Sequence, residues 1–263
     1  MMERVTVVKI GGNVVENEQK LEQFCRDFAS LQGPKILVHG GGVMASELMG
    51  RLGMEAQMIE GRRVTDAKTL QTVTMVYAGW CNKHIVALLQ KYSCNALGLS
   101  GCDASVIKAR RRAPRTLKDG KTVVDYGLVG DVDKSSVNAD ALRKFLEAGL
   151  CPVLCAINHD GQGQLLNTNA DTVASAVACA INAKLVYCFE KNGVLYDRFD
   201  PESVIGRINP LDFTTLIADG KVADGMIPKI ENAFKAIQNG ASEVIIKNSE
   251  ALLGEGGTHI SLQ

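Results

Sequence analysis

The sequence has no excess of charge of either sign and no long run of apolar residues. Its 29 basic residues balance 29 acidic residues, which leaves no electrostatic footprint for a nucleic acid or an anionic membrane. No apolar run approaches the roughly 20 residues that a transmembrane helix needs. The N-terminal segment enters a β-rich stretch without the apolar core and cleavage site of a secretory signal. These absences predict a soluble, cytoplasmic protein that binds neither nucleic acid nor membrane.

The cysteines and histidines lack the spacing of a metal site. None of the eight cysteines forms a Cys-x-x-Cys pair, and the four histidines are dispersed. Cys151 and Cys155 are the closest pair, and a predicted strand puts both on one face among apolar residues. Buried reduced thiols are therefore favoured over metal ligands, and we predict that the protein itself holds no metal.

What the sequence does have is a regular alternation of predicted strands and helices. With 46% hydrophobic residues the chain can bury a large core, and no linker, repeat or low-complexity tract interrupts the alternation. The pattern predicts an α/β fold, a three-layer αβα sandwich with a central, mostly parallel sheet. The predicted strands cover residues 4–10, 35–39, 95–99, 151–157, 184–189, 243–247 and 258–262.

Two of these strands end in glycines. Lys9 stands near the end of the first strand, before Gly11-Gly12, and the second strand runs into Gly40-Gly-Gly42. If the two strands are parallel neighbours, both loops lie at the sheet edge where α/β proteins bind ligands, and their backbone N–H groups face an anion. Plain tight turns are the alternative, because neither loop has the spacing of a dinucleotide fold or a P-loop.

Asn167, Asn169 and Asp171 follow the strand at 151–157 on alternate positions. In an extended segment they share one side, and the small apolar residues at 174–180 predict a buried helix behind them. This alternation favours a polar functional site that is supported by a rigid, buried helix. The alternative is an ordinary helix N-terminus capped by Asn and Asp.

Arginines occur in two predicted loops. In the first, at 58–65, Arg63 has the geometry to fork onto a carboxylate, although a solvated side chain is the alternative. A long helix is predicted over 66–92, with Thr65 as its N-cap. In the second loop, Arg110-Arg-Arg112 is predicted to be a solvated face, since no aromatic residues interleave it.

Six segments, taken in order, resemble one protein family. They are Val8-Lys-Ile-Gly-Gly12, Val38-His-Gly-Gly-Gly42, Gly61-Arg-Arg-Val-Thr65, Asp125-Tyr-Gly-Leu-Val-Gly130, residues 163–171 and Asp224-Gly-Met-Ile-Pro-Lys229. Together they resemble the amino acid kinase family over nearly the whole chain, and most closely its branch that acts on N-acylated glutamate. The resemblance implies one continuous domain with a lobe for the acylated amino acid (1–175) and a lobe for the nucleotide (176–263).

The implied reaction is ATP-dependent phosphorylation of the γ-carboxylate of N-acetyl-L-glutamate, in arginine biosynthesis, with Mg²⁺ carried by the ATP. Such an enzyme chiefly holds two anionic reactants in line and stabilises charge on the moving phosphoryl group. On this resemblance Lys9 contacts the transferring group, Lys229 neutralises charge toward the leaving ADP, and Asp171 orients both ammonium groups.

The resemblance also assigns the other site residues. Gly11 and Gly12 line the phosphate path, and Gly41 and Gly42 line the acceptor. Acceptor binding is implied for Arg63, on the α-carboxylate, and for Asn167, with Asn169 in support and Arg62 beside them. Nucleotide binding is implied for Glu190, Lys191, Asn192, Gly193, Lys221, Val222 and Ala223.

Two positions depart from the family pattern. Glu190-Lys191 stands where Asp and a small or apolar residue are common, which leaves the nucleotide geometry open. Arg62 stands where an uncharged residue is usual. The Arg62 guanidinium could bind a second carboxylate on the substrate, such as the distal carboxylate of an N-succinyl group, so N-succinyl-L-glutamate is the alternative acceptor. If Arg62 instead points to solvent, N-acetyl-L-glutamate remains the first choice.

Other functions remain open at this point. Family relatives phosphorylate free glutamate, carbamate, aspartate or UMP, and a catalytically inactive, effector-binding homologue is also compatible with the fold. The resemblance further implies a homodimer, with the helix at 66–92 as a candidate contact surface. In the family, arginine-sensitive enzymes share an N-terminal helical extension that links dimers into a hexamer. Here the predicted strand residues begin at about Val5, so the resemblance implies no inhibition by arginine.

Overall fold

A computed structural model describes residues 3–117, 119–222 and 226–263. Its central sheet has eight strands. They are β1 (Thr6–Ile10), β2 (Lys35–His39), β3 (Ala96–Leu99), β4 (Cys151–Cys155), β5 (Lys184–Phe189), β6 (Arg207–Ile208), β7 (Glu243–Asn248) and β8 (Thr258–Ile260).

The spatial order of the strands is β6-β8-β7-β5-β1-β2-β4-β3. Neighbouring strands are parallel except β7 and β8, which are antiparallel. The inner strands β1, β2, β4 and β5 are almost entirely buried, as expected for strands covered on both faces by helices. The predicted fold class is confirmed.

Helices connect and cover these strands. They are α1 (Gly12–Val15), α2 (Glu18–Ser30), α3 (Gly42–Arg51), α4 (Ala67–Thr74), α5 (Asn82–Lys91), α6 (Ala139–Glu147), α7 (Ala170–Ala180), α8 (Pro210–Ala218) and α9 (Ile227–Gln238). None of the helices within the described ranges is long and apolar enough to cross a membrane.

The predicted long helix is continuous in the structure, but its central part is π-helical rather than α-helical; α4, this segment and α5 are together called the rod. A π-helical segment, Met75–Cys81, joins α4 to α5. The predicted cap at Thr65 is wrong by one residue: the Asp66 carboxylate accepts from the backbone N–H of Thr69, which satisfies one of the free donors of the first turn. Thr65 is instead buried, and its backbone bonds to Tyr126 and Leu128.

The segment after β4 is also less simple than predicted. An antiparallel hairpin of Ile157–His159 and Leu165–Asn167 lies between β4 and α7. Asn169 is the N-cap of α7, where its side chain accepts from Thr172 N, and Asp171 is already helical. The three polar residues therefore do not share one extended segment, and the capping alternative is correct for Asn169.

Candidate active site

The two glycine-ended strands are neighbours. Strands β1 and β2 pair in parallel, with Lys9 opposite Val38 and Ile10 opposite His39, so the loops at Gly11-Gly12 and Gly40–Gly42 meet at the carboxyl edge of the sheet, as predicted. Gly41 is tightly enclosed, because a Cβ there would lie 2.9 Å from Tyr77 Cδ1 and 3.0 Å from Cys81 Sγ. The π-helical segment thus seats this loop by close packing.

His39 fixes the start of the same loop. Its ring is fully buried, with Nδ1 2.8 Å from Gly40 O and Nε2 3.1 Å from Asn82 Nδ2. Burial lowers the pKa of His39 to about 4, so the ring is neutral at pH 7. Because a carbonyl can only accept, the network assigns the proton to Nδ1, and Nε2 accepts from Asn82.

One cavity at this edge, the arginine cavity, has a volume of about 230 Å³. Its walls come from the glycine loop, the Met58–Arg63 turn, Arg112 and the N-terminus of α7. All six residues predicted to bind the acceptor line it, namely Gly41, Gly42, Arg62, Arg63, Asn167 and Asn169.

Arg63 is held firmly in this cavity. It is buried, and its Nη2 donates to Gly42 O and to Ser46 Oγ, both at 2.8 Å. The solvated alternative for Arg63 is therefore wrong. Asn167 also lines this cavity, and its amide donates to Thr65 Oγ1 at 3.1 Å, which fixes the direction of the amide.

The prediction of a solvated face at Arg110–Arg112 is wrong for Arg112. Its side chain is 12% exposed and lines the arginine cavity, where it pairs with Asp131 at 2.5 Å. Burial, with the nearby charges of Arg112 and Arg115, lowers the pKa of Arg62. The cavity thus holds more guanidinium charge than the sequence pattern indicated, because Arg112 follows the short strand Arg110–Arg111 and forms an ion pair with Asp131.

The second cavity, the lysine cavity, has a volume of about 270 Å³. It lies where β1, β5, α7 and α9 meet. The predicted residues that line it are Lys9, Gly11, Gly12, Asp171, Glu190, Lys191 and Lys229, and they are joined by Asn13 and Phe189.

Opposite charges converge in the lysine cavity. Lys9 Nζ lies 2.7 Å from Asp171 Oδ1. Burial lowers the pKa of Lys229, and Lys9 lowers it further, while the charges of Asp171 and Glu190 act in the opposite direction. Ala170 lines one cavity and Asp171 the other, so the first turn of α7 separates two cationic compartments.

The structure does not bring the other described nucleotide-site candidates, Asn192, Gly193, Lys221 and Val222, into the lining of the lysine cavity. Asn192 accepts from Asn248 Nδ2, and Gly193 packs so closely that a Cβ would lie 2.7 Å from Thr258 Oγ1. Val222 is buried, and Lys221 Nζ lies 4.5 Å from the ring centre of Tyr196. Ala223 falls outside the described residues.

Asn13, Phe189 and Arg112 were missed by sequence reasoning. Asn13 follows the Gly11-Gly12 pair and belongs to no motif that would mark it as a ligand-binding residue, and its amide donates to Glu190 Oε1 across the lysine cavity. Phe189 had a usable signal, since it ends β5 at the same edge as Lys9. Across the described part of the chain, no three His, Cys, Asp or Glu side chains group as metal ligands would.

Comparison with known proteins agrees with this geometry. The family model for the amino acid kinase family matches residues 4–248. The chain is 49% identical over 264 residues to the acetylglutamate kinase of Bacteroides fragilis, which covers 99% of this chain and 98% of that protein. It is 50% identical over 256 residues to the acetylglutamate kinase of Cytophaga hutchinsonii, covering 96% and 94%.

A solved structure shares the fold. N-acetylglutamate synthase from Neisseria gonorrhoeae, complexed with coenzyme A and N-acetyl-glutamate, superimposes with a TM-score of 0.80 at 23% sequence identity. The match covers 100% of this chain and 60% of the synthase chain. At this identity the likeness concerns the fold alone.

Proposed function

The chain belongs to the amino acid kinase family, and from that membership and the two cavities we propose that it transfers the γ-phosphoryl group of ATP to the γ-carboxylate of N-acetyl-L-glutamate. The product is an acyl phosphate, and the step belongs to arginine biosynthesis. Support comes from the acetylglutamate kinases to which the chain is 49% and 50% identical over nearly its whole length.

The observation that carries the proposal is the convergence of Lys9, Asp171 and Lys229 beside the arginine cavity. A carboxylate acceptor is already ionised at neutral pH, so the reaction needs no general base. It needs two anions brought together and charge stabilised on the phosphoryl group in flight. Lys9 has this role on the phosphoryl group, Lys229 on the side of the leaving ADP, and Asp171 keeps the two ammonium groups in place.

The arginine cavity holds the acceptor. Its buried guanidinium, Arg63, takes the α-carboxylate, and Asn167 takes the acylamide. The backbone N–H groups of Gly41 and Gly42, at the start of α3, face the γ-carboxylate, because the N-terminus of a helix favours negative charge.

The lysine cavity holds the phosphates of ATP, against Gly11 and Gly12. Glu190, Lys191, Asn192 and Gly193 form one border of the nucleotide site, and Lys221, Val222 and Ala223 the other. Mg²⁺ enters as part of the substrate, bound to the phosphates. The residues of the cavity fit this, since they supply cations and N–H donors and the Asp171 carboxylate is paired with Lys9.

The test is a coupled ADP-release assay with N-acetyl-L-glutamate, together with hydroxylamine trapping of the acyl phosphate. Free glutamate, carbamate, aspartate and UMP are the comparison acceptors. Turnover of one of these with none of the acylglutamates refutes the proposal. Absence of turnover with every acceptor supports an inactive, effector-binding protein instead.

One feature of the arginine cavity favours N-succinyl-L-glutamate as a second candidate acceptor. Arg62 and Arg112 both line the cavity besides Arg63, and a distal carboxylate on the acyl group would meet them. A charge-assisted hydrogen bond contributes about 1.5 to 3 kcal/mol, or roughly a 10- to 150-fold preference. The names of the relatives still favour the acetyl group.

The two acceptors are separated by kcat/KM measured in the wild type, in Arg62→Leu and in the control Arg110→Leu, whose side chain is 70% exposed. If the wild type prefers succinylglutamate, this preference should be lost in Arg62→Leu and kept in Arg110→Leu. If the wild type prefers acetylglutamate and neither substitution changes that preference, succinylglutamate is ruled out as the acceptor.

We further propose a homodimer that forms through the rod of α4, the π-helical segment and α5. Met75 and Trp80 are 52% and 62% exposed on the π-helical segment, where residues five apart lie on nearly the same side. Large apolar side chains exposed together favour a protein contact. Since Tyr77 in the same segment packs on Gly41, such a contact would lie directly behind the acceptor site.

A further inference from the structure

The two lysines of the lysine cavity lie over one aromatic ring. Lys229 Nζ is 3.7 Å and Lys9 Nζ 5.5 Å from the ring centre of Phe189. Both distances are within the roughly 6 Å over which a cation is attracted by an aromatic face. Of the two contacts, that with Lys229 is the closer.

The ring is itself fixed by its neighbours. Phe189 stacks on Tyr187, with ring centres 6.1 Å apart and planes inclined by 16°. Tyr187 is buried, and its hydroxyl donates to Asp171 O at 3.1 Å. Strand β5 places both rings on one face, because alternate residues of a strand point the same way. A closed network results, from Asp171 through the two rings to the lysines and back through the Lys9–Asp171 ion pair.

An uncharged aromatic ring can hold an ammonium group in place without adding negative charge to the phosphate site. Two ammonium groups held close together repel each other. The nearby negative charges are Asp171, which is paired with Lys9, and Glu190, which accepts from Asn13. A further carboxylate beside Lys229 would occupy one of its three N–H donors and would also repel the incoming phosphates. An aromatic face attracts the cation electrostatically without adding net charge, and it leaves the N–H donors free for phosphate oxygens.

We propose that Phe189 is a positioning residue that holds the Lys229 ammonium group, and more weakly that of Lys9, in place for phosphoryl transfer. This inference rests on the proposed kinase activity. Phe189 acts on the lysines rather than on the substrate. Its effect therefore belongs in kcat and in the pH dependence of kcat rather than in the KM for the acceptor.

The charged groups that face Lys229 are Asp171, Lys9 and Glu190. Burial and Lys9 already lower its pKa. Removal of the ring takes away attraction for the charged form, so the pKa falls further, and the alkaline limb of the kcat profile moves to lower pH.

The experiment compares Phe189→Leu, which keeps the apolar bulk without the ring, with Phe189→Tyr, which keeps the ring. We expect Phe189→Leu to lower kcat roughly 5- to 30-fold and to shift the alkaline limb down by about one pH unit, with little change in acceptor KM. Phe189→Tyr should resemble the wild type. The control is Phe213→Leu, which removes a ring that packs on Phe234 in the same lobe, and it should leave the pH profile unchanged.

Two further measurements make the inference refutable. In a Lys229→Met background, Phe189→Leu should have little additional effect on kcat, because only the weaker contact with Lys9 remains. In ¹³C-lysine NMR spectra, the side-chain signal of Lys229 should show a ring-current shift that Phe189→Leu abolishes, and this readout needs no turnover.

A wild-type kcat and alkaline limb in Phe189→Leu would overturn the inference, as would equal losses in the Leu and Tyr variants or an absent ring-current shift. An inactive wild type that still shows the ring-current shift would defeat the proposed kinase function while leaving the cation–ring contact standing.

Discussion

The glycine at position 41 offers a sharp test of how the acceptor site is built. An alanine Cβ there would lie 2.9 Å from Tyr77 Cδ1, about 0.5 Å inside ordinary contact, and 3.0 Å from Cys81 Sγ. Both neighbours belong to the buried side of the π-helical segment, so the glycine loop must move instead. Overpacking of this kind costs about 1 to 3 kcal/mol.

Gly41→Ala should therefore lower both stability and activity. A loss of about 2 kcal/mol corresponds to a fall in Tm of roughly 4 to 8 °C for a chain of this size. Because the displaced loop carries the N–H groups proposed to face the acceptor, kcat/KM for N-acetyl-L-glutamate should fall roughly 10- to 100-fold. Thermal unfolding and the coupled ADP-release assay measure the two effects.

Gly42→Ala is the matched control for stability. Its Cβ would meet Tyr77 Oη at 3.8 Å, an ordinary contact, and alanine is tolerated better than glycine in a helix. We expect an unchanged or slightly raised Tm. If Gly41→Ala unfolds and turns over like the wild type, or if both variants lose stability equally, the close packing of Gly41 on Tyr77 does not shape the loop.

Three further predictions address charge, pH and assembly. Lys9→Met and Lys229→Met should each lower kcat about 100- to 1,000-fold, which is the loss expected when a contact to developing charge is removed. The surface control Lys20→Met should keep wild-type kinetics. An unchanged kcat in either variant would show that the lysine concerned does not have the proposed role. The pKa of His39 is lowered to about 4 in the folded state, so as the pH falls below 6.5 the unfolded chain is protonated at this residue before the folded protein is. The free energy of unfolding therefore declines between pH 6.5 and 4. In urea unfolding, the wild type should lose about 2 kcal/mol more of its free energy of unfolding than His39→Gln does between pH 7 and 5, and equal losses in the two proteins would contradict a buried neutral ring. Trp80→Glu should convert a dimer to a monomer in light scattering, whereas a wild type that is monomeric or hexameric would contradict the proposed contact.

The sequence by itself determined the framework of the molecule. Continuous apolar runs and helical periodicity are local signals, so they predicted the buried strands, the covering helices and a mostly parallel sheet. Glycines that end two successive strands predicted one shared edge, and the pairing of β1 with β2 confirms it. Segments with little periodicity were predicted less well, which is why the hairpin between β4 and α7 was missed.

Only the tertiary structure decided how the polar residues are divided between two cavities. The sequence grouped Asn167, Asn169 and Asp171 by alternation, but the helix begins between them, because Asn169 caps α7 and turns Asp171 toward Lys9. Arg112 looked solvated because its partners are distant in sequence, and it is buried by the ion pair with Asp131 and the ring of Tyr126. Local patterns fix a residue's backbone conformation, whereas the environment of a charged side chain is set by residues brought to it from elsewhere in the chain.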